Sequence, residues 1–147
     1  DWDRPLSYQQ PINLSLQGIE IPIIGYIDLR YPGEVRELKT SYKRRRSIID
    51  DHAFQVSTYA MAIRQESGVW PTAVLDYICP TGMESFQLKN GKHWVKRVVD
   101  NANSIRSLLA SASTKEELCQ LVQPDFSKPL WRYRPNSRAA AKSLFEC

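Results

Sequence analysis

The sequence predicts a protein of the α/β (α+β) class, with a mixed central β-sheet flanked by helices. Segments with the periodicity of strands form two groups, one on each side of a helical segment that covers residues 50–66. A longer amphipathic helical pattern follows the second group of strands. This order of strands, helix, strands and helices favours a sheet whose faces are covered by helices.

The first group of strands ends in a tight turn and a returning strand. Residues 12–16 alternate apolar and polar side chains, as a half-buried strand does. Residues 21–31 are rich in Ile and Tyr around Gly25, and residues 31–34 have the composition of a turn. Residues 34–40 are therefore expected to form a hairpin with the strand before them.

The rest of the chain predicts a helix, a second hairpin and further helices. Asp50 or Asp51 is expected to cap a helix that runs to about Glu66 and is ended by Gly68. The later elements are two hairpin strands, a long amphipathic helix, a short helix and a last helix, over residues 73–79, 83–89, 92–112, 114–121 and 137–145.

The length of 147 residues predicts one domain over residues 1–147, with its core in residues 12–112 and a basic C-terminal tail in residues 124–147. The chain begins with Asp1 rather than Met, so we expect a piece of a longer protein. A larger protein context or a homo-oligomer is the expected assembly. No apolar run approaches the roughly 20 residues of a membrane span, so no membrane partner is expected.

The charge of the chain favours a polyanionic partner. The net charge is +4 and the isoelectric point is about 9.0. Basic residues are concentrated in two segments, residues 36–46 and residues 128–142, and the second segment contains five basic residues and no acid. Both segments are candidates for contact with nucleic acid.

The three cysteines, Cys79, Cys119 and Cys147, are far apart in the sequence. Their odd number and the lack of a C-x-x-C spacing argue against a disulfide framework and against a zinc site. A reducing, cytoplasmic setting is therefore expected.

Glu37 and Lys39 form a candidate reactive pair on the predicted strand 34–40. Because they are two residues apart, both side chains project from one face, whereas Leu38 is expected to point to the other face, into the core. A tight turn in the hairpin would bring the carboxylate of Asp28 across from Glu37. We therefore expect two carboxylates to converge beside one ammonium group.

Two adjacent carboxylates favour a divalent cation, and hard oxygen ligands suit Mg²⁺ or Mn²⁺. Such an ion polarises a phosphoryl oxygen and lowers the pKa of a bound water, while Lys39 orients or deprotonates that water. Asp28, Glu37 and Lys39 therefore predict a site of phosphodiester hydrolysis. An ordinary exposed ion pair between Glu37 and Lys39 is the alternative.

Three segments of the sequence form a longer pattern that includes Asp28, Glu37 and Lys39. They are Gly25-Tyr26-Ile27-Asp28, Glu37-Leu38-Lys39-Thr40-Ser41 and His52-Ala53-Phe54-Gln55-Val56-Ser57-Thr58-Tyr59-Ala60. In combination they resemble the signature of the RecB-like and phage-exonuclease branch of the PD-(D/E)XK nucleases, over residues 24–60. The resemblance implies a restriction-endonuclease-like core.

The resemblance also implies a role for each matched residue. Asp28, Glu37 and the backbone carbonyl of Leu38 would bind the metal. Lys39 would be the catalytic lysine. The family's helix motif matches two residues that would face the site and hold substrate or metal-bound water, Gln55 and Tyr59.

Two departures from the family pattern stand out. Many relatives have a Glu or His on a helix before the first strand, and no such helix is visible ahead of Ile12. Some relatives carry an iron–sulfur cluster on four cysteines near the C-terminus. This chain has three cysteines with unsuitable spacing, so no cluster is expected.

Further residues are candidates for binding nucleic acid. Those close to the predicted site in sequence are Ser41, Lys43, Arg44, Arg45, Arg46 and His52. The alternatives are a solvated basic loop and a capping role for the histidine. In the tail, Arg132 and Arg134 alternate with Trp131 and Tyr133. This segment is suited either to contact bases and phosphates or to fix the tail onto the domain.

The function predicted from the sequence is a Mg²⁺- or Mn²⁺-dependent deoxyribonuclease that acts on single- or double-stranded DNA. An exonuclease of recombination, repair or phage replication is the expected type. The alternatives are a catalytically weak nucleic-acid-binding module and a structural subunit domain of a helicase–nuclease complex.

Overall fold

The computed structural model describes residues 3–122 and 124–145. Within them, one sheet contains five strands, in the order β1-β2-β3-β4-β5. The strands are β1 (Ser7–Leu14), β2 (Ile23–Tyr31), β3 (Glu34–Thr40), β4 (Thr72–Cys79) and β5 (Gly82–Gln87). The helices are α1 (Asp50–Ser67), α2 (Gly91–Ala110), α3 (Lys115–Leu121), α4 (Pro129–Arg132) and α5 (Pro135–Phe145). In this part of the chain, no helix has the length and apolar character needed to cross a membrane.

The sheet is mixed, which confirms the predicted fold class. β1–β2, β2–β3 and β4–β5 are antiparallel pairs, whereas β3 and β4 run parallel. A parallel pair needs a long crossover, and α1 provides it. β3 has the predicted bounds, whereas β1 begins at Ser7 rather than at residue 12. The prediction missed the first residues of β1 because they lack the alternating pattern of a half-buried strand.

The start of α1 differs from the prediction. Its N-cap is Ile49, which makes no side-chain capping hydrogen bond, so the expected cap at Asp50 or Asp51 was wrong. Both acids lie in the first turn instead, where their negative charge interacts favourably with the helix dipole. The predicted end at Gly68 is confirmed, because this glycine adopts φ +77° and its N–H donates to the carbonyl of Arg64.

The hydrophobic core lies between α1 and one face of the sheet. Its fully buried side chains come from β2, β3, β4 and α1, namely Ile27, Val35, Leu75, Tyr77 and Val56. Val98 of α2 joins the same cluster. This core holds α1 against β3, the strand that carries the candidate pair of charged residues.

The chain divides into two compact units, Asp1–Asn103 and Ser104–Cys147. The first unit contains the sheet, α1 and most of α2, and the second contains the end of α2 together with the three following helices. The predicted single domain, its core bounds and its tail bounds stay predictions. The chain ends named in that prediction and Cys147 lie outside the described residues.

A buried ion pair lies on the sheet face opposite α1. Asp76 of β4 is 0 % exposed and accepts hydrogen bonds from Arg36 Nη1 at 3.1 Å and from Ser85 Oγ at 2.5 Å. The guanidinium of Arg36 also bonds Glu34 and lies over the ring of Tyr31. These contacts join β3, β4 and β5, so they help to fix the register of the parallel pair.

We predict that Asp76→Ala lowers the free energy of unfolding by about 3 kcal/mol, because it removes the buried partner of Arg36. Ser85→Ala, which deletes one hydrogen bond to the same carboxylate, should cost about 1 kcal/mol. Chemical denaturation of both variants measures the difference. Equal, small losses would show that the pair contributes little.

Candidate active site

Glu37 and Lys39 project from β3 towards α1. Glu37 is 3 % exposed, and its Oε1 accepts a hydrogen bond from Lys39 Nζ at 2.5 Å. The expectation that Leu38 points into the core was wrong, because the core lies on the Glu37 side and Leu38 is half-buried on the opposite face. Glu37 is therefore enclosed beneath α1, whereas Lys39 keeps 23 % of its side chain exposed.

α1 supplies the polar side chains that meet this pair. Lys39 Nζ donates to Gln55 Oε1 at 2.8 Å, and Gln55 Nε2 donates to the hydroxyl of Tyr59 at 2.7 Å. Gln55 and Tyr59 are four residues apart, so one helix face presents both. A continuous hydrogen-bonded row thus runs from Glu37 through Lys39 and Gln55 to Tyr59.

Gly25 makes room for Tyr59 on β2. A Cβ atom at this position would lie 3.2 Å from Cε1 of the Tyr59 ring, closer than ordinary van der Waals contact. Burial raises the pKa of Tyr59, as do the charges of Glu37 and Asp28, although the Gln55 hydrogen bond opposes them. Tyr59 is therefore a neutral phenol, able to donate as well as accept.

Asp28 is held next to the pair by two hydrogen bonds. Its Oδ2 accepts from the backbone N–H of Leu38 at 2.9 Å, and its Oδ1 accepts from Gln9 Nε2 at 2.7 Å. Leu38, whose carbonyl the family resemblance assigns to the metal, is thus tied to Asp28 through its own N–H. The structure therefore brings Asp28, Glu37, Lys39, Gln55 and Tyr59 together.

The alternation of side chains along β2 changes next to Asp28. Gly25 lies beneath Tyr59 of α1, yet Arg30 also reaches α1, where it bonds Glu66. Residues at odd and even positions of one regular strand cannot face the same helix, so the strand is distorted between them. The distortion coincides with Gln9 of β1, which has φ +48°.

Gln9 is the residue of this site that sequence reasoning missed. The polar run Ser7–Gln10 carries no periodicity that would single out one glutamine. A positive φ at a non-glycine residue is uncommon and strained, and it has no sequence signal when the residue is Gln. In the structure, this conformation accompanies the hydrogen bond that Gln9 donates to Asp28.

The buried carboxyl of Glu37 is electrostatically unsatisfied. Burial raises its pKa to about 7, the hydrogen bond from Lys39 lowers it, and the charge of Asp28 raises it. One oxygen bonds Lys39, whereas the other, Oε2, is buried without a hydrogen-bond donor among the described residues, and a hydrogen bond shared with the carboxyl of Asp28 also raises the pKa of Glu37. An oxygen in this state is destabilising unless a proton or a cation joins it.

The donor set fits a hard divalent cation. Asp28 and Glu37 offer carboxylate oxygens, and the orphaned Oε2 of Glu37 is an available ligand atom. Within residues 3–122 and 124–145, no group of three or more His, Cys, Asp or Glu side chains could hold a metal ion. A cation bound by Asp28 and Glu37 would therefore keep several water ligands, as Mg²⁺ commonly does.

His52 lies one turn before Gln55 on α1. Its Nδ1 is 2.9 Å from the hydroxyl of Tyr77, and this hydroxyl accepts a hydrogen bond from the backbone N–H of Ile49. Burial and the charges of Lys39 and Arg45 lower the pKa of His52. A neutral ring that accepts from Tyr77 at Nδ1 carries its proton on Nε2, where it can donate to an anionic oxygen.

The loop between β3 and α1 carries the other residues predicted to contact nucleic acid. Ser41 donates through Oγ to the carbonyl of Lys43 at 2.6 Å, and Arg44 is paired with Glu84 of β5. Lys43, Arg45 and Arg46 are exposed. The stretch is exposed from Lys43 to Arg46, which suits both a solvated basic loop and phosphate contacts, and it leads directly into α1.

Arg132 and Arg134 lie in the second unit and are exposed there. Trp131, which precedes them, packs within the same unit against Phe126, with ring centroids 5.2 Å apart.

No family model and no curated protein matches the chain. Among solved structures, it is similar to a protein of Eubacterium rectale provisionally described as an exonuclease, at 13 % identity and a TM-score of 0.58 over 87 % of this chain. The α+β fold is consistent with a restriction-endonuclease-like core. The chain spans about half the length of that structure, 52 %. The structure of SSO0001 matches at 16 % identity and a TM-score of 0.46, over 78 % of this chain and 56 % of its own.

The raised pKa of Glu37 predicts a loss of stability with rising pH. Between the ordinary value of 4.5 and the folded value of about 7, the native state binds more protons than the unfolded state. The free energy of unfolding in EDTA should therefore fall by roughly 3 kcal/mol across this window. Denaturation at a series of pH values measures this fall in the parent and in Glu37→Gln. The decline should be absent from the variant, and an equal decline in both proteins would show that Glu37 does not cause it.

The positive φ of Gln9 predicts an inverted order of two variants. Gln9→Ala and Gln9→Gly both delete the hydrogen bond to Asp28, but only glycine adopts this conformation without strain. Gln9→Gly should therefore be more stable than Gln9→Ala by about 1 kcal/mol. At Asn13, an exposed position of the same strand, the alanine variant should be the more stable one in denaturant unfolding.

Proposed function

We propose that this chain is a nuclease domain of the PD-(D/E)XK superfamily, of the RecB-like and phage-exonuclease branch, which hydrolyses phosphodiester bonds of DNA with Mg²⁺ or Mn²⁺. The observation that carries the proposal is the buried Glu37, whose Oε2 has no hydrogen-bond partner among the described residues while Oε1 holds Lys39. A divalent cation would supply the partner that Oε2 lacks, whereas a merely structural ion pair would need a proton there.

The residues that would hold the ion are Asp28, Glu37 and the backbone carbonyl of Leu38. When bound, a divalent cation supplies Lewis-acid polarisation of a phosphate and lowers the pKa of a coordinated water. Its charge would also favour the ionised form of Glu37 and oppose the repulsion from Asp28.

The protein's own side chains have separate tasks in this proposal. Lys39 offsets negative charge that develops on the phosphate and, held by Gln55, keeps its ammonium at a fixed position. Tyr59 supports Gln55 from the other side and remains neutral because its pKa is raised. The contacts from Lys39 to Gln55 and from Gln55 to Tyr59 restrict the conformations of the lysine side chain, so its ammonium is positioned before substrate binds.

DNA is the proposed partner, single- or double-stranded, because the exposed Lys43, Arg45 and Arg46 offer phosphate contacts next to α1. A role in recombination, repair or phage replication, within a larger protein or a homo-oligomer, is part of the same proposal. The proposed setting is cytoplasmic, in keeping with the free thiols of Cys79 and Cys119.

A catalytically weak nucleic-acid-binding module is the second candidate function. It is favoured by one observation, that the described residues contain no third His, Cys, Asp or Glu grouped with Asp28 and Glu37. Such a module would bind DNA through its basic residues with a strong dependence on salt and would take up little metal. A structural subunit domain would show neither property.

The test is cleavage of end-labelled single- and double-stranded DNA with Mn²⁺ or Mg²⁺. Glu37→Gln and Lys39→Ala should each lose at least about 100-fold in rate, because the first removes a ligand of the ion and the second removes the positive charge that offsets charge on the phosphate. Lys89→Ala is the matched control, since Lys89 is an exposed lysine in the same unit and lies outside the site.

Calorimetric titration with Mn²⁺ accompanies the cleavage assay. Uptake by the parent and its loss in Glu37→Gln are expected for a nuclease. An inactive parent that takes up no Mn²⁺ but binds DNA in a salt-sensitive manner would establish the binding module instead.

A further inference from the structure

The second unit contains a basic groove between α4 and α5. Its volume is about 760 Å³, and the described residues that line it include four cations and two aromatic rings, Lys128, Arg132, Arg138, Lys142, Phe126 and Trp131. None of the described lining residues is acidic. We refer to this feature as the α4–α5 groove.

Positive charges of the groove lie close together on α4 and α5. Arg138 and Lys142 are four residues apart on α5, and like charges at that spacing destabilise a helix. Arg132 adds a third positive charge from the last turn of α4. Asp125, an acid nearby in sequence, is engaged by Ser127 and by Lys128.

The aromatic rings form the apolar part of the groove. Phe126 and Trp131 pack at 5.2 Å between centroids, and Lys142 Nζ lies 5.7 Å from the Phe126 centroid. Trp131 is nevertheless only half-buried, and neighbouring Tyr133 is 77 % exposed. Aromatic surface beside cations is suited to bases beside phosphates.

We propose that the α4–α5 groove is a binding site for single-stranded nucleic acid, separate from the residues around Glu37. Arg132 and Arg138 contact phosphates, and a base lies against the aromatic wall at Trp131. The volume of about 760 Å³ lies within the range of small-ligand sites and admits part of one strand. An acidic protein segment would use the charges but not the aromatic wall.

The experiment measures binding in EDTA, so it does not depend on metal or on cleavage. The full chain is titrated into a fluorescent oligothymidylate of about 12 nucleotides, a length within known single-strand site sizes, and anisotropy is followed over a series of salt concentrations. Two double variants are compared with the parent. The glutamine pair combines Arg132→Gln with Arg138→Gln, and the lysine pair, which retains the charge, combines Arg132→Lys with Arg138→Lys. The matched control pair is Lys89→Ala with Lys115→Ala, two exposed lysines outside the groove.

The glutamine pair should weaken binding about tenfold and reduce the slope of log affinity against log salt by about 1.4, because each lost phosphate contact contributes roughly 0.7. The lysine pair should keep the slope, and the control pair should stay close to the parent. All three pairs change exposed side chains, and matching thermal unfolding verifies that they fold.

Three results would overturn the proposal. The first is a glutamine pair that binds like the parent, and the second is a control pair that loses as much affinity as the glutamine pair. The third is equal competition by polyglutamate of the same charge or by a duplex of the same length, which would identify a general polyanion surface or a protein site. Because metal is absent throughout, a nuclease proposal that fails leaves this result unchanged.

Discussion

The constraint on which the first unit depends is the burial of one carboxylate, Glu37, beneath a helix. A buried charge is costly unless it is paired, and Lys39 provides the pair from the same strand. The ammonium in turn needs acceptors, which explains why α1 presents Gln55 at this point. The position of α1 over β3 is therefore fixed by polar contacts as well as by the hydrophobic core around it.

The same constraint reaches the strands on the other side of Glu37. Tyr59 completes the row that starts at Lys39, and its ring requires a glycine at position 25 of β2. Asp28 reaches Leu38 only where the regular alternation of β2 is interrupted, opposite a strained Gln9. Strain of this kind persists only when the surrounding structure holds it in place, and here that structure holds the carboxylate of Asp28 beside the carboxylate of Glu37.

Sequence periodicity predicted the fold well because the strands and α1 bury regular apolar faces. β3 was predicted to the residue, and the spacing of Glu37 and Lys39 correctly placed both on one face. Which face packs against a helix is a tertiary property, so the orientation of Leu38 was predicted wrongly. The φ of Gln9 and the N-cap at Ile49 depend on neighbours distant in sequence or on loop geometry, which no local pattern encodes.

Glu37 can be neutralised in three ways, and these compete for one group. A proton suffices near its pKa of about 7, Lys39 occupies only Oε1, and a divalent cation would use the orphaned Oε2. The proposed binding of DNA through basic residues elsewhere would not depend on the state of this carboxyl, because phosphate neutralisation needs no exact geometry. DNA affinity therefore says little about catalysis in this protein. Whether a divalent cation or only a proton neutralises Glu37 is the property that distinguishes a nuclease from a module that only binds.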